Sequence, residues 1–272
     1  MKRKGAADLE PVTGMDSSEE RDAGAFRCCA IVPTYDNPAT IRSVVERIRR
    51  HLPDVLVIDD GSHPPGREVC QALARDGLAR VFRLAENSGK GAAVKRAFLE
   101  AEKAGFTHAF QVDAYGQHDL EAIPAFLEAA RSNPQDAIFG APLYDDSVPG
   151  IRHFGRKLTR FWVDLEVGRG RIQDAMIGFR IYPIGSVRAL DLRDNRMSFD
   201  VEVAVLLVWA GVEVLNLPVV VRYLSEAQGG RSHFRPFLDN LRLAMLHSRL
   251  CTAAAIRWCL SRLPNPAALK RS

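Results

Sequence analysis

THAFQVDAYGQHD, residues 107–119, runs as a short apolar strand onto Asp113 and then breaks into a polar turn carrying Tyr115, Gln117, His118 and Asp119. An apolar run of this length bounded by turn residues reads as a buried strand. Three earlier segments have the same form: CCAIVPTY from Cys28, DVLVID from Asp54 and ARVFRLA from Ala79. Helical spacing separates them. Ile41, Val44, Val45, Ile48 and Leu52 recur along one face, with Asn37 placed to cap that helix and Pro38 in its first turn. Further helices are expected over Arg67–Asp76 and Gly91–Lys103. This alternation predicts an α/β fold, a mostly parallel sheet with right-handed crossovers and helices on both faces. Ligands of such sheets bind beyond the carboxyl ends of the strands, where Tyr35, Asp59, Asp60 and Asp113 fall.

Downstream, a helix is expected around Asp119 to Arg131 and a strand at AIFGA. Periodicity then weakens from Tyr144 to Gly150 and returns as a helix from Arg152 to Val167. SFDVEVAVLLVWAG reads as helix, Val212–Leu215 and VVVRY as two strands, and the chain from Phe237 as a basic amphipathic stretch. Residues 1–26 read as a disordered tail, 27–240 as one catalytic domain and 241–272 as an amphipathic helical tail.

The formal charge of +4, from 37 basic against 33 acidic residues, is too small a surplus to point to nucleic acid. The five cysteines lack metal-site or scaffold spacing and read as reduced thiols. The apolar stretch from Val201 is interrupted by Glu202, Glu213, Asn216 and Pro218, which argues against a membrane span. A cytoplasmic protein, peripheral to the membrane if it meets one, is the expectation. Nothing in the sequence sets an oligomeric state.

Chemistry concentrates at three places. IDDGS puts Asp59 and Asp60 directly after a strand, where a carboxylate can accept from a nucleobase or ribose, although Asp, Gly and Ser are also ordinary turn residues. NSGKGAAVKRA, from Asn87, is a glycine-rich turn into a helix whose amides could face phosphate. It lacks Walker spacing, and no GxGxxG follows the first strand, which weakens a dehydrogenase reading. The third place is VDAYGQHD itself.

Taken in order, PTYDNPATI, VLVIDDGS, NSGKGAAVKRA and FQVDAYGQHD strongly resemble the family 2 glycosyltransferases, including the dolichyl-phosphate mannose synthase-like branch. The resemblance continues through IQDAMIGFRIYP, SFDVEVAVLLVWAG and GGRSHFRPFLDN, covering about Cys28 to Asn240. It implies a GT-A fold, a UDP- or GDP-linked sugar donor, a Mg²⁺ or Mn²⁺ cofactor and transfer with inversion. By position, Asp59 or Asp60 would contact base and ribose, with Pro33, Thr34 and Tyr35 lining that pocket. Lys90 would join the donor site, and Asp113 with Gln117 would face diphosphate and metal. A cation suits this chemistry because the leaving diphosphate gains charge in the transition state.

The family signature is Asp-Ala-Asp-Gly-Gln-His, and Tyr115 stands where its second aspartate is expected. A neutral phenol supplies no anionic ligand, which would weaken or abolish metal binding and leaves open a binding protein with impaired catalysis. Asp174 matches the acidic position near the acceptor and reads either as general base or as a cap of its own turn. Arg152, Arg156, Arg231 and His233 are candidates for an acceptor phosphate, such as a polyprenyl phosphate. The mixed Arg, Leu and Trp tail reads as interfacial helix or core packing. A nucleotidyltransferase, which would release pyrophosphate, is a weaker third reading.

Overall fold

A computed structural model of the chain describes residues 25–144, 150–222 and 235–261. The strands β1 (Cys28–Thr34), β2 (Val55–Asp59), β3 (Arg80–Arg83) and β4 (His108–Val112) lie where the apolar runs place them. Between them sit α1 (Ile41–Ile48), α2 (Pro64–Arg75) and α3 (Lys90–Lys103). A single 3-10 turn at Leu120–Ala122 leads into α4 (Ile123–Ser132), followed by β5 (Ala137–Tyr144) and α5 (Gly150–Val167). The chain continues through β6 (Phe179–Pro183), α6 (Ile184–Arg188), α7 (Phe199–Trp209), β7 (Val214–Val221) and α8 (Pro236–Ser261).

The seven strands form one sheet in the order β3-β2-β1-β4-β6-β5-β7. All pairings are parallel except those of β6, which runs antiparallel to both β4 and β5. After β1 the chain builds outward through β2 and β3, then returns to place β4 on the other side of β1. That reversal opens a crevice above the carboxyl ends of β1 and β4. Pro33 is tolerated inside β1 because pairing with β4 ends earlier, at Ile31 opposite Gln111. Each face of the sheet buries its own apolar cluster. One joins α3, α7 and the middle of α8, and the other joins α1, α2 and α4.

Three local expectations change. Asn37 is not the cap of α1: Thr40 is, while the Asn37 side chain accepts from Thr34 Oγ1 and the Tyr35 amide. The two strands expected across Val212–Tyr223 are one, β7, since Pro218 pairs opposite Ala141 in an edge strand where a missing donor faces no neighbour on one side. β6 had no counterpart in the sequence reading at all. Position 240 falls inside α8, whose Leu243, Leu246 and Leu250 are buried in the core.

Candidate functional site

The crevice is a cleft of about 360 Å³ lined by residues from six parts of the chain. Pro33, Thr34 and Tyr35 come from the end of β1, Asp60 from the end of β2, Lys90 from the start of α3 and Asp113 from the end of β4. Tyr115 lines it too, together with Arg196 from the loop before α7 and Arg235, Asp239 and Arg242 around the start of α8.

Asp59 and Asp60 divide the work. Asp59 is 1% exposed, ion-paired to Arg83 and accepting from the Ser62 amide at 2.8 Å, so it ties β2 to β3 behind the cleft. Asp60 faces the cleft, and its two carboxylate oxygens accept the amides of Ser88 and Gly89 at 2.7 and 2.8 Å. Those amides therefore hold Asp60 rather than standing open for phosphate. Burial raises the Asp60 carboxyl from its ordinary value, and the two amides and Arg196 work against that rise. Gly89 has φ +104°, and a Cβ there would lie 2.2 Å from the Asn195 carbonyl oxygen. Only glycine lets the loop before α7 close over the start of α3.

Lys90 is the centre of the site. Its ammonium lies 2.8 Å from Asp113 Oδ1 and 3.0 Å from Oδ2, aligned for hydrogen bonding to the latter, and donates to Asp200 Oδ2 at 2.6 Å. Burial works to lower its pKa, but the two carboxylates outweigh burial and hold it above the ordinary lysine range. Lys90 is thus a fixed cation. Asp200, in the first turn of α7, also accepts from Gln111 Nε2 at 3.1 Å, and its carbonyl accepts from Arg180 at 2.8 Å. Arg180 is fully buried and lies over the Phe139 ring at 4.3 Å, so carbonyls and an aromatic face surround its charge. Asp113 is seated against Gly178: its amide donates to the Gly178 carbonyl at 3.0 Å, and a Cβ on Gly178 would come within 2.1 Å of Asp113 Oδ1.

Asp174 does not line the cleft. Its Oδ1 accepts the amides of Met176 and Ile177 at 2.7 and 2.9 Å, and its Oδ2 accepts from Arg156 at 2.5 Å and Tyr144 Oη at 3.3 Å. This is the geometry of an aspartate fastening its own turn. Arg156 lies over the Tyr144 ring at 5.3 Å as well as pairing with Asp174. Arg152 is in α5, with its side chain outside the described residues, and Arg231 and His233 lie outside them altogether. Gln117 is not among the lining residues; its carbonyl accepts the Arg222 amide at 2.9 Å. His118 is buried behind the cleft, and burial, then the cations Lys90 and Arg156, lower it to about 3.

Sequence reading passed over Arg196, Arg235 and Arg242. Arg196 donates to Asn87 Oδ1 at 2.5 Å, and Arg242 pairs with Asp239 at 2.8 Å. No period marks such residues, because each reaches the cleft from an element distant in the chain. Glu202 turns out structural: it accepts the Arg193 and Asp194 amides at 3.1 and 2.8 Å and pairs with Arg249.

A resident Mg²⁺ or Mn²⁺ would need several hard oxygen ligands free to coordinate it. Asp113 already holds an ammonium, Tyr115 is a neutral phenol, and among the described residues no three His, Cys, Asp or Glu side chains are grouped to hold a metal. The residues present do not fit such an ion, in contrast to the family expectation.

Comparison with solved structures gives the fold a name. Glucosyl-3-phosphoglycerate synthase from Mycobacterium tuberculosis, crystallised with Mn²⁺ and UDP-glucose, superposes with a TM-score of 0.62 over 93% of this chain and 86% of that one, at 17% identity. The architecture is that of the GT-A glycosyltransferases. Among curated proteins, an undecaprenyl-phosphate mannosyltransferase of Micrococcus luteus is 26% identical over 75% of this chain and 87% of its own length. A polyprenol monophosphomannose synthase of Mycolicibacterium smegmatis is 26% identical over 71% of this chain and 76% of its own. The model of glycosyl transferase family 2 matches residues 29–188, and with more than half of its length so matched this chain belongs to that family.

Proposed function

We propose that the chain transfers a sugar from a UDP- or GDP-linked donor to a lipid-linked phosphate, with inversion at the anomeric carbon. The observation that carries this reading is the convergence of Tyr35, Asp60, Lys90, Asp113 and three arginines on one cleft at the strand ends. Tyr35 and Asp60 would receive base and ribose, while Lys90 and the arginines would face the diphosphate. Asp113 then acts by fixing the Lys90 ammonium. In the transfer itself, an oxygen of the acceptor phosphate forms a bond to the anomeric carbon as the bond from that carbon to the diphosphate oxygen breaks. The electron pair leaves with the nucleoside diphosphate. Such an acceptor is already ionised near neutral pH, so no strong base is required. Asp174 would serve by holding Arg156 toward the acceptor rather than by taking a proton.

Two further observations favour a lipid acceptor. The names of the two polyprenyl-type relatives point to such substrates. Apart from Leu143, the large apolar side chains exposed among the described residues lie on α5 and α8, Phe161, Leu165, Met245 and Trp258 among them. Exposed Lys157, Arg160 and Arg257 are interleaved with them, the composition of a helix pair resting on an anionic membrane surface. No described helix is long and apolar enough to cross a membrane. The protein would work at the cytoplasmic face, as a peripheral enzyme.

The test is to give the full chain radiolabelled UDP-glucose and GDP-mannose with vesicles containing polyprenyl phosphate and to count label extracted into organic solvent. Label in the lipid phase is the expected result, and silence across a wide donor panel would count against transfer. A second reading, nucleotide-sugar binding with impaired turnover, is favoured by Tyr115 and by the full engagement of Asp174. It predicts nucleotide binding without transfer, and a gain of Mn²⁺ dependence in Tyr115→Asp.

A further inference from the structure

We propose that this chain neutralises the nucleoside diphosphate with its own fixed cations, Lys90, Arg196, Arg235 and Arg242, and binds it without a divalent metal. The inference rests on the nucleotide-sugar reading above and deepens it.

The ion that a GT-A donor site would hold at Asp113 has a competitor already in place. The Lys90 ammonium sits between the Asp113 and Asp200 carboxylates at 2.8 and 2.6 Å, with its side chain 9% exposed and those of its partners 13% and 3% exposed. A metal taking Asp113 would have to draw the carboxylate away from a desolvated ion pair, and removing one partner of such a pair is strongly unfavourable. Position 115 offers no anionic compensation for that loss. The bay that would hold a cation in other proteins of this fold therefore contains a covalently tethered one.

The tethered cation can still reach a ligand. An ammonium has three N–H donors, and two are spent on Asp113 and Asp200. The third is left for a phosphate oxygen in the cleft that Lys90 lines.

The Lys90 charge is already met by the Asp113 and Asp200 carboxylates, so the charge that balances a diphosphate comes from elsewhere. The charged lining residues are Asp60, Asp113 and Asp239 against Lys90, Arg196, Arg235 and Arg242, and Asp200, paired with Lys90 behind the lining, brings the acids to four against four bases. Two of these acids are committed to the protein: Asp60 to the Ser88 and Gly89 amides, and Asp239 to Arg242 and the Arg235 amide. Arg196 and Arg235 take part in no ion pair among the described residues, and Arg196 is oriented by the neutral Asn87 side chain. Guanidinium groups so placed can grip phosphate oxygens in pairs. Arg196 and Arg235 come from separate elements, so their convergence on one cleft is not a by-product of helix amphipathicity.

The experiment is calorimetric titration of the full chain with UDP and with GDP, once in EDTA and once in MnCl₂. Dissociation constants within about threefold of each other are expected for whichever nucleotide binds. Arg196→Gln, which breaks no ion pair, should weaken binding in EDTA by about tenfold, and Lys90→Met by at least as much if its thermal melt shows it folded. Binding that is at least about tenfold tighter in Mn²⁺ overturns the inference while leaving the nucleotide-sugar reading intact. Failure of both nucleotides under both conditions overturns the two together. An Arg196→Gln protein that binds UDP or GDP as tightly as the parent removes the cationic cleft as the explanation.

Discussion

Replacing Lys90 with methionine keeps an unbranched apolar stem one atom shorter and deletes the charge, leaving the Asp113 and Asp200 carboxylates facing each other across the space that the ammonium filled. Breaking a buried ion pair by removing one partner costs about 3–5 kcal/mol. Asp200 is buried and keeps only Gln111 as a side-chain donor, whereas Asp113 borders the cleft and can recover some water. The lower end, about 3 kcal/mol, is therefore expected at pH 7. A domain stable by about 5–15 kcal/mol survives that loss folded but measurably weakened. Adding Asp200→Asn to Lys90→Met should restore part of the stability, with a coupling energy of about 1.5–3 kcal/mol in the double-mutant cycle. Urea unfolding at pH 7 followed by tryptophan fluorescence gives both numbers. A Lys90→Met protein that loses under about 1 kcal/mol, without coupling to Asp200, would refute the buried triad.

Gly178→Ala should damage the site more than the fold. The added Cβ would sit 2.1 Å from Asp113 Oδ1, so Asp113 must move, at an overpacking cost of about 1–3 kcal/mol; nucleotide titration should show lost affinity with unchanged far-UV circular dichroism. His118 is held down at about 3 against its ordinary 6.5, so it stays neutral when folded and takes a proton when unfolded. Stability is then fully present above about pH 6.5 and falls by about 1.4 kcal/mol per pH unit below it toward pH 3. His118→Leu should flatten that acid limb by about one proton in urea titrations from pH 6.5 to 4; an unchanged slope would contradict neutral burial. Phe161→Ser with Leu165→Ser should lower co-sedimentation with anionic vesicles at unaltered melting temperature, each side chain, 60% and 61% exposed, forfeiting about 1–2 kcal/mol of burial in lipid.

Fold and sequence agree where one element carries its own signal. β1, β2 and β4 are short apolar runs buried on both faces, and α1 repeats its apolar residues at helical spacing, so each is legible without its neighbours. β6 is not. Its FRIYP sequence contains Arg180, which the rule for buried strands rejects, and its burial is made tolerable by Tyr182 Oη together with the Asp200 and Asp174 carbonyls and the Phe139 ring from other elements. The two strands expected at Val212–Leu215 and VVVRY are instead one, because an edge position absorbs the donor missing at Pro218.

The site shows the same division with more consequence. Tyr35, Asp60 and Asp113 were visible because a strand end put each of them where a parallel sheet binds its ligands, and Pro33, Thr34 and Lys90 because the family resemblance implied them. What those residues do was not visible. IDDGS cannot say that Asp59 turns back to Arg83 while Asp60 faces the cleft, and NSGKG cannot say that its amides are taken by Asp60. The position of Lys90 next to a metal-type aspartate was readable only as donor contact, since Asp200 enters the same bay from a helix 110 residues later. Once Asp200 is in place, Tyr115 ceases to be an isolated defect. A second carboxylate at 115 would serve a mobile dication, whereas a tethered ammonium that already faces two carboxylates would meet in a third only further unpaired negative charge. The departure from the family signature and the buried lysine are then two expressions of one electrostatic arrangement, in which the cation belongs to the chain.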